Sequence, residues 1–191
     1  MSAPMRQAAI GRSRSAEAAL QVAIIVAASL FVALCARFSL PIPGTPVPLS
    51  LQNFAVLLVG LSLGSRRGFL ALALYLAEGA AGLPVFSPIG APGLLRFAGP
   101  TAGYLIAYPF VAALAGYIFE RGRQTFLRAV SAAIAGEVLL FVGGVAWLYV
   151  LTHSIVRAFA LGFSLFKFAE VIKIMFAAGV ANTWRRFASH S

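Results

Sequence analysis

The sequence predicts an all-α polytopic membrane protein with six transmembrane helices. Of its 191 residues, 61% are hydrophobic and only 10% are charged, and the apolar residues are gathered in runs of helical length. Basic residues lie mainly between these runs. A net charge of +10 would suggest a nucleic-acid partner for a soluble chain. Here we assign the charge to the surface of the lipid bilayer, because arginines that flank apolar runs contact anionic headgroups.

Six apolar segments fill most of the chain. We expect them to build one transmembrane domain over residues 16–186, after a cytoplasmic basic tail at residues 1–15. The segments cover residues 16–38, 49–63, 69–81, 101–120, 126–151 and 158–180. A bilayer crossing takes about 20 helical residues, so the second and third segments are short. The sequence GSRRG at residues 64–68 separates these two, and it predicts a tight helical hairpin.

Two segments are too rich in helix breakers to continue a helix. Residues 39–48 contain four prolines, and residues 78–100 contain nine glycines and prolines. The second segment also carries leucine, valine and phenylalanine along its length, so we expect it to pack over the helices as a lid. The first segment could have the same role.

The arginines are distributed unequally between the two sides of the predicted bundle. When the loops are assigned to alternate sides, one side collects ten arginines and the other side three. The larger set is Arg6, Arg12, Arg14, Arg66, Arg67, Arg121, Arg123, Arg128, Arg185 and Arg186, and the smaller set is Arg37, Arg96 and Arg157. Because cytoplasmic loops carry the excess of basic residues, both termini are predicted to lie in the cytoplasm.

Two charges inside the last apolar segment require an explanation. Glu170 and Lys173 are three residues apart, so they share one helical face. An ionised side chain at mid-bilayer costs roughly 2.5–3.5 kcal/mol, and we therefore expect both side chains to face the protein interior. They either neutralise each other as an ion pair or bind a polar ligand.

Two amides at the start of the second apolar segment are further candidates for ligand contact. Gln52 and Asn53 lie near the predicted outer surface. Short spans bounded by glycine or proline often carry the binding sites of transporters. The alternative is that these amides satisfy backbone groups at the start of the helix.

The sequence contains no motif for catalysis or metal binding. It has no P-loop, HExxH or GxSxG motif and no aspartate, and Cys35 is its single cysteine. We therefore expect a protein that is not an enzyme and that has neither a metal site nor a cofactor.

Small residues recur along the first apolar segment. Ala19, Ala23 and Ala27 are spaced four residues apart and form one stripe. Such a stripe allows another helix to approach closely.

Five short sequences occur in order along the chain. They are PVPLSLQN at residues 46–53, LGSRRG at 63–68, LYL at 74–76, GLPVF at 82–86 and GPTAGY at 99–104. Together with an acidic residue and a lysine three apart in the last segment, they resemble the BioY family. This family comprises the biotin-binding S components of energy-coupling-factor (ECF) transporters.

The resemblance implies an S-component-like bundle of six helices in the cytoplasmic membrane of a bacterium. It also implies biotin binding near the outer face, either alone or with a T-type transmembrane subunit and two ATPase subunits. The stripe Ala19, Ala23 and Ala27 matches the family's AxxxA surface for the T-type subunit. The family's binding helix usually reads PGDxxK, whereas residues 168–173 of this chain read FAEVIK.

The functional groups of biotin match residue types in the chain. Glu170 can accept hydrogen bonds from the ureido N–H groups, while Lys173, Gln52 or Asn53 can donate to the ureido carbonyl. Arg96 is the candidate for the ligand carboxylate, because a guanidinium matches a carboxylate bidentately. An exposed loop charge is the alternative for Arg96. The candidates for the apolar part of the pocket are Tyr75, Phe86, Tyr104 and Trp147.

Two other functions remain open from the sequence. The altered sequence FAE at residues 168–170 is compatible with an S component for another small vitamin. A proton-coupled carrier or channel could instead use Glu137, Glu170 and Lys173 as a relay, because all three lie within predicted spans.

Overall fold

The computed structural model describes residues 3–164 and 166–188, and within them the chain is largely helical. The long helices are α1 (Ala3–Arg37), α2 (Gln52–Ala80), α3 (Ala102–Glu120), α4 (Phe126–Thr152) and α6 (Lys167–Ala188), with a short α5 (Ile155–Phe159). The smaller elements are the strands β1 (Ser39–Leu40) and β2 (Leu49–Ser50), a 3-10 helix (Gly93–Ala98) and a π-helix (Ala160–Ser164). Among the described residues, four helices are long and apolar enough to cross a membrane, namely α2, α3, α4 and residues 14–37 of α1.

The helix α2 reverses its direction at Gly64. This residue has a φ of +82°, in a region that favours glycine. A Cβ built on Gly68 would lie 3.2 Å from the Cα of Gly60, whereas eight residues of continuous helix span about 12 Å. The two arms, residues 52–63 and 65–80, therefore lie side by side as the predicted hairpin. With the arms counted separately, and with α6 packed against α2 and α4, the described chain has the six helical elements that were predicted.

The turn of α2 is held against α3 by small residues and one carboxylate. A Cβ on Gly116 would lie 2.5 Å from the backbone nitrogen of Ser65, so the two backbones are in direct contact. The Ser65 amide donates to Glu120 at 3.2 Å, and this bond satisfies a free N–H at the start of the second arm. We call this side of the bundle the turn end. Arg66 and Arg67 are exposed there.

The loops meet at the opposite side, which we call the loop end. The loop between β1 and β2 is fixed by Thr45, whose hydroxyl donates to the carbonyl of Leu161 at 2.7 Å. The segment between α2 and α3 is fixed by two bonds: Arg37 donates to the carbonyl of Pro84, and Trp147 donates to that of Gly99 at 2.9 Å. Both breaker-rich segments therefore cover the same side of the helices, as predicted for residues 78–100 and left open for residues 39–48.

The helix α1 lies at the edge of the bundle. It packs through one face, on which Ala28, Ser29, Val32, Cys35 and Ala36 are buried. The predicted stripe of Ala19, Ala23 and Ala27 is exposed on another face.

The helix α1 also begins at Ala3 and so extends through the predicted basic tail. Alanine, methionine, glutamine and arginine in this region are all favourable in helices, which accounts for the extension. The side chains of Arg6, Arg12, Arg185 and Arg186 lie outside the described residues.

Candidate functional site

A cavity opens at the loop end between α2, α3, α4 and α6. About 530 Å³ of space without protein atoms lies in the cavity and in the open solvent at its mouth. Its floor and walls are formed by Gln52, Asn53, Tyr104, Leu105, Tyr108, Phe141, Gly162, Phe166 and Glu170, and the two loops contribute Val47, Pro48, Ser50, Ser87, Arg96 and Thr101. Five of the residues predicted from the sequence thus meet in one place: Gln52, Asn53, Arg96, Tyr104 and Glu170.

The carboxylate of Glu170 is held by a network from three helices. Lys173 donates to Glu170 Oε1 at 2.7 Å, and both side chains are buried. The amide of Asn53 in α2 approaches the same oxygen at 3.4 Å, and Tyr108 in α3 donates to Asn53 Oδ1 at 2.8 Å. Both donors bond to Oε1 and fix the carboxylate in place. The second oxygen, Oε2, is therefore left for another donor.

Glu170 Oε2 is one of the few buried polar atoms without a hydrogen-bond partner among the described residues. The residue is 3% exposed and lines the cavity. A buried carboxylate oxygen without a donor is unfavourable by about 1–3 kcal/mol, and a ligand N–H group can remove that penalty. Glu170 is therefore a preformed hydrogen-bond acceptor.

Arg96 is buried and is held by its own loop. Its exposure is 4%, which excludes the alternative of an exposed loop charge. The guanidinium donates to the carbonyls of Ser87, Ile89 and Ala91, with the bond to Ser87 at 3.1 Å. Burial lowers the pKa of Arg96 from its ordinary value. Its Nε atom has no partner among the described residues, so one N–H group remains for a ligand anion.

Tyr104 forms the α3 wall of the cavity and depends on two glycines. Its hydroxyl donates to the carbonyl of Gly162 in the π-helix at 2.8 Å. A Cβ on Gly144 of α4 would overlap the tyrosine ring. The ring therefore fits between α4 and the π-helix only because position 144 carries no side chain.

Tyr75 and Phe86 lie behind the cavity. Tyr75 is fully buried, accepts a hydrogen bond from Gln52 Nε2 at 2.8 Å and donates to the carbonyl of Val85 at 3.2 Å. Phe86 packs edge-on against Tyr75 with 5.4 Å between ring centroids. These two rings support Gln52 and the loop from below, and neither is among the residues that line the cavity.

Lys173 and Trp147 also lie outside the cavity lining. Lys173 bonds to Glu170 from outside the cavity. Its side chain borders a groove next to Arg37 and β1. Trp147 borders an outer groove between α3 and α4. Its indole N–H donates to Gly99, and this bond turns the ring away from the cavity.

Sequence reasoning missed three aromatic side chains of the cavity. Tyr108 lies four residues after Tyr104 on α3, so helical spacing alone could have indicated it. Phe141 similarly lies four residues after Glu137. Phe166 lies just after the π-helix, where the irregular backbone changes the direction of the chain, and no sequence signal indicated its place.

Known proteins share sequence with this chain over most of its length. The sequence profile of the BioY family matches residues 6–190. The biotin transporter BioY of Thermotoga maritima is 35% identical over 158 residues, which is 82% of this chain and 92% of that protein. The biotin transporter BioY of Rhizobium etli is 37% identical over 169 residues, covering 84% of this chain and 86% of that protein.

A solved structure has the same fold. The crystal structure of an S component for biotin from an ECF-type ABC transporter superposes with a TM-score of 0.81. It covers 89% of this chain and 93% of that chain at 22% sequence identity. These matches confirm the resemblance inferred from the sequence motifs, and the chain belongs to the BioY family.

Proposed function

We propose that this chain is the biotin-binding S component of an ECF-type transporter. It captures biotin at the outer face of a bacterial cytoplasmic membrane and carries it inward, without enzymatic activity or a resident cofactor. The names of the relatives and the fold support this function. The observation that carries the proposal is the cavity at the loop end, in which Glu170 presents a buried carboxylate oxygen that has no hydrogen-bond partner in the described part of the chain.

The ureido ring of biotin binds at Glu170. One of its N–H groups donates to Glu170 Oε2, while Lys173 donates to Oε1 and holds the carboxylate in place. Asn53 is oriented by Tyr108 and lies beside the same carboxylate, so its amide is placed to donate to the ureido carbonyl. Gln52 also lines the cavity, where Tyr75 fixes its orientation.

The remainder of biotin meets side chains of matching chemical character in the rest of the cavity. Leu105, Phe141 and Phe166 offer apolar surface to the sulfur ring and the acyl chain. The carboxylate of the ligand meets the free Nε–H of Arg96, beneath the loop that this arginine organises. Tyr104 completes the cavity wall between this apolar surface and Arg96.

The exposed alanine stripe is the contact surface for a T-type transmembrane subunit, which couples to the ATPase subunits. Ala19, Ala23 and Ala27 have no packing role within the described chain, because α1 uses another face for that purpose. Small residues allow the close helix approach that drives association in lipid.

The turn end faces the cytoplasm, as do both termini. Arg66 and Arg67 of the α2 turn are at this end, and Arg121 and Arg123 follow the adjacent end of α3. An excess of arginine marks the cytoplasmic side of a membrane protein. The cavity consequently opens toward the outside.

Uptake of labelled biotin tests the proposed function. Cells that lack their own biotin transport are supplied with this chain alone or with T-type and ATPase subunits. We expect uptake that excess unlabelled biotin abolishes and that thiamine does not affect. No uptake in either setting, or competition by thiamine, would contradict the proposal. Uptake by the chain alone that collapses with the proton gradient would favour a proton-coupled carrier.

A further inference from the structure

A second buried glutamate has no assigned role in the proposed binding site. Glu137 lies in the middle of α4, is 4% exposed, and has no hydrogen-bond partner for either carboxylate oxygen among the described residues. An unpaired ionised carboxylate at this depth is strongly unfavourable. The group must therefore be neutral or be compensated by its neighbours.

The neighbours of Glu137 do not supply enough positive charge. The Glu137 carboxyl lies next to that of Glu170 of α6, and Lys173 is the basic group near both. From α3, the hydroxyl groups of Tyr104 and Tyr108 lie near the same two carboxyls, and α2 contributes the neutral Asn53. Two carboxylates and one ammonium group leave one uncompensated negative charge.

The contact between the two glutamates identifies where a proton is needed. Two ionised carboxylates in contact repel each other, and neither can donate a hydrogen bond. The contact becomes a hydrogen bond when one carboxyl carries a proton, as in other buried carboxyl pairs that share one. Lys173 already donates to Glu170 at 2.7 Å, so Glu170 is the acceptor of the pair and Glu137 is the donor.

We propose that Glu137 is a protonated positioning residue, which donates a hydrogen bond to Glu170 and makes the cluster of Glu137, Glu170 and Lys173 electrically neutral. This inference rests on the proposed function, because Glu170 is the acceptor for the ureido ring there. A carboxylate oxygen has two lone pairs, so Glu170 Oε2 can accept from Glu137 and from the ligand together. Glu137 itself does not touch the ligand.

Infrared spectroscopy tests the proposed proton directly. The sequence has five glutamates and no aspartate, so the carboxyl region of the spectrum is simple. In an ester-free detergent at neutral pH, the wild-type protein is expected to show the C=O band of a protonated carboxyl group. Glu137→Gln removes this band, whereas Glu17→Gln, which alters an exposed glutamate on α1, leaves it unchanged. Absence of the band in the wild type, or its persistence in Glu137→Gln, would overturn the inference.

Biotin affinity tests the positioning role. Glu137→Ala removes the donor and is expected to weaken binding by about tenfold, and Glu137→Gln, a neutral donor, restores most of that affinity. Equal losses in Glu137→Gln and Glu137→Ala would mean that the ionised form is needed, which contradicts the inference. A wild-type protein that shows the band but does not bind biotin would contradict the proposed function and still support a protonated Glu137.

Discussion

Single and double substitutions of Glu170 and Lys173 distinguish a purely structural ion pair from a ligand-binding one. The two groups are 2.7 Å apart, and their side chains are 4% and 9% exposed. Removing one partner of a buried ion pair leaves an uncompensated charge and costs about 3–5 kcal/mol of stability, whereas removing both is often neutral. We therefore expect Lys173→Met to lower the unfolding temperature clearly. The double variant Glu170→Gln with Lys173→Met should unfold close to the wild type.

Binding should follow the opposite pattern in the double variant. A hydrogen bond to a charged group contributes about 1.5–3 kcal/mol, so loss of the Glu170 carboxylate should weaken biotin binding about ten- to a hundredfold. Thermal unfolding in detergent measures stability, and calorimetric titration of the same samples measures affinity. Glu17→Gln is the matched control, because it removes an exposed carboxylate from α1 and should change neither quantity. A stable double variant that binds biotin as tightly as the wild type would refute the assignment of the ureido ring to Glu170.

Three further predictions concern the fold around the site and the surfaces of the bundle. Gly144→Ala should displace the Tyr104 ring and lower biotin affinity by at least about tenfold at unchanged expression, as calorimetry would detect; unaltered affinity would remove Tyr104 from the site. Ala23→Trp should leave biotin binding in detergent intact but prevent co-purification with a T-type subunit, and the reverse result would place the stripe inside this protein. In a variant without the native cysteine, Ala91→Cys should react with a membrane-impermeant thiol reagent in intact cells, whereas Gln124→Cys should stay protected; labelling of both would contradict the orientation.

Sequence reasoning succeeded where a local pattern has one structural consequence. The GSRRG sequence at residues 64–68 predicted the reversal of α2, because glycine permits the positive φ at position 64. The spacing of Glu170 and Lys173 predicted their shared face, and the structure pairs them. The breaker-rich segment at residues 78–100 was expected to cover the helices because it is apolar, and it does so at the loop end.

Sequence reasoning was less successful where the outcome depends on the rotation of a helix or the path of a loop. Trp147 was a plausible wall of the pocket, but the rotation of α4 directs it to an outer groove. Arg96 was placed in a loop without any indication that three backbone carbonyls would bury it. Phe166 enters the cavity through an irregular π-helical segment, which no periodicity in the sequence predicts.

Calorimetric titration of the purified protein with three ligands tests the central claim most directly. Biotin carries both the ureido ring and the carboxylate, biotinamide lacks the carboxylate, and lipoate has a sulfur ring and an acyl chain but no ureido group. We predict saturable binding of biotin with one ligand per chain. Biotinamide should bind more weakly, because it lacks the partner of Arg96, and lipoate should not compete. Absence of biotin binding, or lipoate binding as tight as that of biotin, would contradict a site built around Glu170.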